Sequence, residues 1–125
     1  MLFYFINVIF VFILPVFFLL MGILTLNRKT IKINSFFGYR TPRSMRCIRS
    51  WNWAQQMLGE YLLYDGIFFL VFSLLCIVAV AVIKKELLHS LLPSVLILVQ
   101  TLSLLCVILK IEKNLKKEHK RWDEK

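Results

Sequence analysis

Three apolar runs divide the chain, with polar stretches between and after them. From Met1 to Leu26 the run is interrupted only by Asn7, Pro15, Gly22 and Thr25. Leu62 to Ile83 is broken by Tyr64, Asp65, Gly66 and Ser73, and Leu91 to Leu109 by Pro93, Ser94, Gln100, Thr101 and Ser103. A helix needs about 20 mostly apolar residues to cross roughly 30 Å of hydrocarbon, and each run qualifies. A chain of 125 residues has no core large enough to bury three helices that are apolar all round. The pattern predicts an all-α membrane protein. Its transmembrane helices cover 1–26, 61–83 and 91–109. A basic loop with an interfacial amphipathic helix covers 27–60, an external loop 84–90, and a basic tail helix 110–125.

The first run reads as a retained helix rather than a cleaved signal peptide. No Lys or Arg precedes it, and it ends in Thr25-Leu26-Asn27-Arg28-Lys29, without a small-residue cleavage site. Pro15 removes a backbone donor near its middle, which a membrane helix tolerates when a neighbour satisfies the freed carbonyl. Gly22 permits close helix contact.

Between the first two runs, Lys29-Thr30-Ile31-Lys32-Ile33 alternates polar and β-branched residues and predicts an extended segment along the interface. Gly38 offers a permissive backbone position. Thr41-Pro42 reads as a helix start, with Thr41 as N-cap and Pro42 at the first helical position, opening a helix from about Pro42 to Gly59. On that helix Arg43, Arg46 and Arg49 share an arc with Trp53 and Met57, while Ile48, Trp51 and Leu58 face another way. Mixed arginine and tryptophan suit headgroup depth. A lipid anchor and a specific binding surface both remain open for it.

Polar residues within the runs are few. Asp65 lies near the start of the second span, either paired with a loop arginine or hydrated among headgroups with Glu60, Tyr61 and Tyr64. Asn7, Gln100, Thr101 and Ser103 are expected to hydrogen-bond between helices. In the tail, Ile111, Leu115 and Trp122 recur at helical spacing, and Glu112 precedes Lys116 by one turn.

Charge then orients the chain. Arg28, Lys29, Lys32, Arg40, Arg43, Arg46 and Arg49 lie in the first loop, and Lys110, Lys113, Lys116, Lys117, Lys120, Arg121 and Lys125 in the tail. The second loop carries only Lys84 and Lys85. By the positive-inside rule, the first loop and the C-terminus are expected in the cytoplasm and the N-terminus outside. The net charge of +9 is explained by anionic lipid headgroups at the inner leaflet, with no call on nucleic acid. Cys47, Cys76 and Cys106 match neither a zinc site nor a redox pair.

The stretch Asn34-Ser35-Phe36-Phe37-Gly38-Tyr39-Arg40-Thr41-Pro42 is followed by Ser44-Met45 and, further on, Trp51 and Ala54. These residues resemble the signature of the SdpI-like (SdpI/YfhL) membrane protein family: N-x-x-x-G-x-R-T-P, then a helix with a tryptophan and an alanine three residues on. One apolar run before the signature and two after it fit as well. The resemblance implies a bacterial cytoplasmic (inner) membrane protein of immunity type, protecting against a membrane-active peptide toxin or bacteriocin. The family's namesake also draws a cytosolic repressor to the membrane; it has additional spans before the shared region. The resemblance marks Asn34, Gly38, Tyr39, Arg40, Thr41, Pro42, Ser44, Met45, Trp51 and Ala54 as candidate binding residues; residue chemistry, not the resemblance, adds Asp65 as a candidate polar partner.

Residue chemistry points away from catalysis. The chain lacks the H-E-x-x-H, G-x-S-x-G, P-loop and dinucleotide strings. His89 and His119 are expected on opposite sides of the membrane, so they cannot share a metal within one subunit. No enzyme activity, cofactor or metal is expected. The expected partners are anionic lipid, a peptide toxin, a cytosolic regulator and further copies of the chain. Two alternatives to immunity stand: a signalling or scaffold subunit that recruits a cytosolic partner such as a repressor, and a small oligomeric transporter.

Overall fold

The structure is a computed structural model that describes residues 2–27, 32–33, 38–83 and 86–125. It holds three long helices: α1 (Leu2–Asn27), α2 (Ile48–Ile83) and α3 (Glu86–Asp123). A single 3-10 turn, Ser44–Arg46, precedes α2. No strand forms among the described residues, and each helix contains a stretch long and apolar enough to cross a membrane. Asn34 and its neighbours 35–37 lie outside the described residues, as do most of the predicted extended segment and Lys84 and Lys85 of the predicted external loop.

The packing is inside-out by the standards of a water-soluble bundle. Only 22–28% of the most apolar window of each helix is buried, and side chains such as Phe5, Ile9, Phe68, Leu75, Leu98 and Leu105 face outward. Lipid is the solvent that accepts such a surface. The seams behind it keep coiled-coil spacing. The buried positions of α1 are Val11, Pro15, Phe18, Gly22 and Thr25, and those of α2 include Gln55, Gly59, Leu62, Gly66, Phe69 and Ser73. Steps of three and four residues keep one face toward the partner over many turns.

Glycine sets the closest approach. A Cβ on Gly22 of α1 would lie 2.9 Å from Leu63 Cγ and 3.0 Å from the Gly59 carbonyl oxygen of α2. A Cβ on Gly59 would lie 2.7 Å from Leu26 Cγ. Each glycine thus receives a leucine from the facing helix, the small-residue contact by which membrane helices approach one another. At the far end, Tyr4 of α1 meets His89 of α3 edge-on at 5.5 Å.

Two boundaries differ from the sequence reading. The interfacial helix and the second span were predicted to divide near Gly59 and Tyr61, but α2 runs through both as one helix of 36 residues. Gly59 serves packing there, and a glycine inside a helix costs only about 1 kcal/mol. Likewise α3 begins at Glu86, inside the predicted loop, and continues through the predicted tail as a helix of 38 residues. At 1.5 Å per residue these helices are about 54 and 57 Å long, well beyond a hydrocarbon core of about 30 Å. Residues 48–60 and 110–123 therefore project past the apolar spans as a helix pair of about 20 Å.

Candidate functional site

The linker returns to this projecting pair through Gly38, whose φ is +105°. That conformation disfavours any residue with a Cβ, and a Cβ here would overlap the side-chain oxygen of Gln55. Gln55 clamps the next residue by its main chain. The Tyr39 amide donates to Gln55 Oε1 at 2.8 Å, and Gln55 Nε2 donates to the Tyr39 carbonyl at 2.9 Å. The side-chain amide thus imitates a pair of strand hydrogen bonds and satisfies both main-chain groups of a buried residue.

Two capping arrangements follow one another. The Ser44 amide donates to Thr41 Oγ1 at 3.2 Å, and the Thr41 amide donates to Ser44 Oγ at 2.9 Å. This is a capping box with serine in place of the usual Glu or Gln. The Ser44 hydroxyl is fully buried and lies 3.0 Å from the carbonyls of both Tyr39 and Thr41. The Met45 amide donates to the Thr41 carbonyl at 3.0 Å, with Pro42 filling the position where a donor is not required. Thr41 therefore caps a short turn, and α2 has its own cap one turn later. Extended Cys47 accepts the Ser50 amide on Sγ at 3.4 Å, and its carbonyl accepts the Trp51 amide at 3.0 Å. The Ser50 hydroxyl and then the Ser50 amide draw the Cys47 thiol below its ordinary range.

The clamp delivers Tyr39 into the groove between α2 and α3. Its ring packs with Ala54, Val107, Ile111 and Leu115, all buried, and Ala54 supplies the small surface against which an aromatic ring can lie. Its hydroxyl donates to Glu112 Oε1 at 2.9 Å and lies 3.3 Å from the Ile108 carbonyl. Arg43 Nη1 donates to the other Glu112 oxygen at 2.9 Å. Burial raises the Tyr39 phenol above its ordinary range, and the adjoining carboxylate adds to the rise. Nearby, Ser50 Oγ hydrogen-bonds His119 Nε2, joining the start of α2 to the end of α3. His119 is held below its ordinary range by burial first and by the positive Arg46 second.

The three arginines of the predicted interfacial helix turn toward α3. Arg43 meets Glu112, Arg46 lies 4.0 Å from Asp123, and the Arg49 guanidinium stacks 4.5 Å above the Trp122 ring. Glu112 thus bonds the linker in preference to the neighbouring Lys116. Arg40 is different: it is exposed and makes no hydrogen bond or ion pair among the described residues. Trp51 is fully buried, and its Nε1 has no partner among those residues. Met45 is half-buried.

Asp65 stands apart from this cluster, and its partner is Ser103 of α3, whose hydroxyl donates to Oδ2 at 2.6 Å. No loop arginine is paired with it among the described residues. Deeper in the spans, Gln100 Nε2 donates to Ser73 Oγ at 3.1 Å and to the Val11 carbonyl at 3.3 Å, so one side chain joins all three helices. Among the described residues no three His, Cys, Asp or Glu side chains converge to hold a metal ion.

Outward apolar faces, a polar seam and a linker folded onto the projecting ends of two helices define a multi-span helical membrane protein with a structured extramembrane platform. The model of the SdpI/YfhL protein family matches residues 30–111, which take in nearly all of the linker, all of α2 and α3 as far as Ile111. The chain belongs to that family. No curated protein and no solved structure matches it.

Proposed function

We propose that this protein is an immunity factor of the bacterial cytoplasmic membrane that blunts a membrane-active peptide toxin. Family membership supports the immunity reading, and the lysine and arginine asymmetry supports a cytoplasmic platform with the N-terminus outside. One observation carries the assignment of the binding group. Ser44 and Ala54 of the family signature hold Tyr39 in place, yet Arg40 beside it is exposed and makes no hydrogen bond or ion pair among the described residues. A guanidinium on a rigid mount is a planar fork of donors suited to a carboxylate or phosphate. The outward apolar faces of α1 and α2 offer a surface for a peptide within the bilayer, and Arg40 offers its anionic end a partner. Anionic headgroups are the standing competitors for the same group.

The test is toxin challenge of a sensitive host that expresses the protein. Wild type protects, while Arg40→Ala loses protection at unchanged protein level. Full protection by Arg40→Ala would remove that residue from the mechanism, and failure of the wild type against every membrane-active peptide tried would remove the immunity reading.

A second reading, recruitment of a cytosolic partner such as a repressor, is favoured by the projecting pair itself, because residues 110–123 extend α3 well beyond the span with an exposed basic face. A pull-down that depends on residues 116–121 would favour it.

A further inference from the structure

Beside the Tyr39 clamp lies a cleft of about 370 Å³, lined by Pro42, Arg43, Arg46, Glu112 and His119. Arg43 and Arg46 are one turn apart and face the same opening. Arg43 commits Nη1 to Glu112, which fixes its plane and leaves its other donors available. Among the described residues Arg46 has only the 4.0 Å approach of Asp123, too long for a hydrogen bond. His119 is more than nine-tenths buried, and Nε2 is bonded to Ser50. Its Nδ1 makes no hydrogen bond among the described residues. Glu112 is the lone carboxylate of the lining, and its two oxygens already accept from Tyr39 and Arg43. The lining is therefore net positive and rich in uncommitted donors.

We infer that this cleft is a binding site for a phosphate group, carried either by a lipid headgroup or by a soluble phosphate ester. The site lies where both are within reach. Glu112 lies about 5 Å past Leu109, where the apolar run of α3 ends, which is headgroup depth, and His119 stands about 15 Å beyond Leu109. Arg43 and Arg46 supply the paired guanidinium donors that phosphate recognition favours. His119 supplies a further donor that strengthens once an anion is beside it.

The two histidines make the test local, since His89 lies at the opposite end of the bundle and serves as the internal control. Imidazole NMR resonances of the full chain are followed in detergent during titration with inorganic phosphate. They are then compared in nanodiscs of phosphatidylcholine with and without phosphatidic acid. The expected result is a saturable shift of His119 and none of His89. Arg46→Ala, at an exposed position, should weaken binding about tenfold. Lys113→Ala removes a charge outside the cleft and should leave binding unchanged. A shift with inorganic phosphate assigns the site to soluble esters, and a shift with phosphatidic acid alone assigns it to lipid. No saturable shift of His119 in either arm overturns the inference. So does equal weakening by Lys113→Ala and Arg46→Ala, which would reveal only diffuse attraction.

Discussion

Gln100 of α3 donates its side-chain amide to the carbonyl of Val11 in α1 at 3.3 Å, the carbonyl that Pro15, four residues on, leaves without a helical donor. The proline and the glutamine are two halves of one interaction across the bundle. A double-mutant cycle measures it. Gln100→Leu should destabilise the wild-type bundle, and the same change should cost less in Pro15→Ala, where a restored amide satisfies Val11. A coupling of about 0.6 kcal/mol, within the roughly 0–1.7 kcal/mol of membrane hydrogen bonds, is expected from unfolding in mixed micelles. The low figure follows from Gln100 Oε1, which is buried without a partner among the described residues.

Gly38 and Gln55 form a second pair. Gly38→Ala places a Cβ at φ +105° and against the Gln55 side chain, so a loss of about 2 kcal/mol is expected. Gln55→Leu leaves the buried amide and carbonyl of Tyr39 without their partner and should cost about 1–3 kcal/mol. Gln55→Glu keeps an acceptor for the amide and should fall between. Thermal unfolding in detergent separates the three.

The Tyr39 phenol gives a dependence at high pH. Its folded value is raised by burial and then by Glu112, while the unfolded chain ionises near the ordinary value of about 10. The folded state therefore holds the proton longer. Its contribution is complete below that ordinary value and is lost as pH rises through the window toward the folded value. Tyr39→Phe should flatten this alkaline limb of the stability profile.

His119 acts at the other end of the scale. Burial and Arg46 lower its folded value, so the unfolded chain binds the proton first as pH falls. Stability from this group is complete above the ordinary histidine value of about 6.5 and declines through the window down to the folded value. Fluorescence of Trp122, which packs against the His119 ring at 5.3 Å, should report loosening of the α3 end on acidification. His119→Gln should remove that acid response.

The spans were legible because lipid imposes composition and length on any helix that crosses it. The signature was legible as a string but not as a mechanism. Its organiser, Gln55, lies 16 residues from Tyr39 and resembles any polar helical residue until the linker folds over it. Glu112 read as a partner of Lys116, since helical spacing reveals only intrahelical neighbours; its bonds to Tyr39 and Arg43 span 73 and 69 residues. The start of α2 was misplaced for a chemical reason. Thr41-Pro42 carries the ordinary capping signal, whereas Cys47 caps through sulfur, a residue outside the usual N-cap set. Gly59 looked like a boundary because the sequence does not disclose that Leu26 and Gly22 press against it.

The central claim is that the signature segment is locked onto the projecting ends of α2 and α3 by Gln55, with Tyr39 as the bolt. Amide hydrogen exchange at Tyr39 tests it most directly. Strong protection in the wild type, lost in Gln55→Leu while the amides of the apolar spans stay protected, is the expected result. Exchange of the wild-type Tyr39 amide at the rate of an open loop would contradict the account.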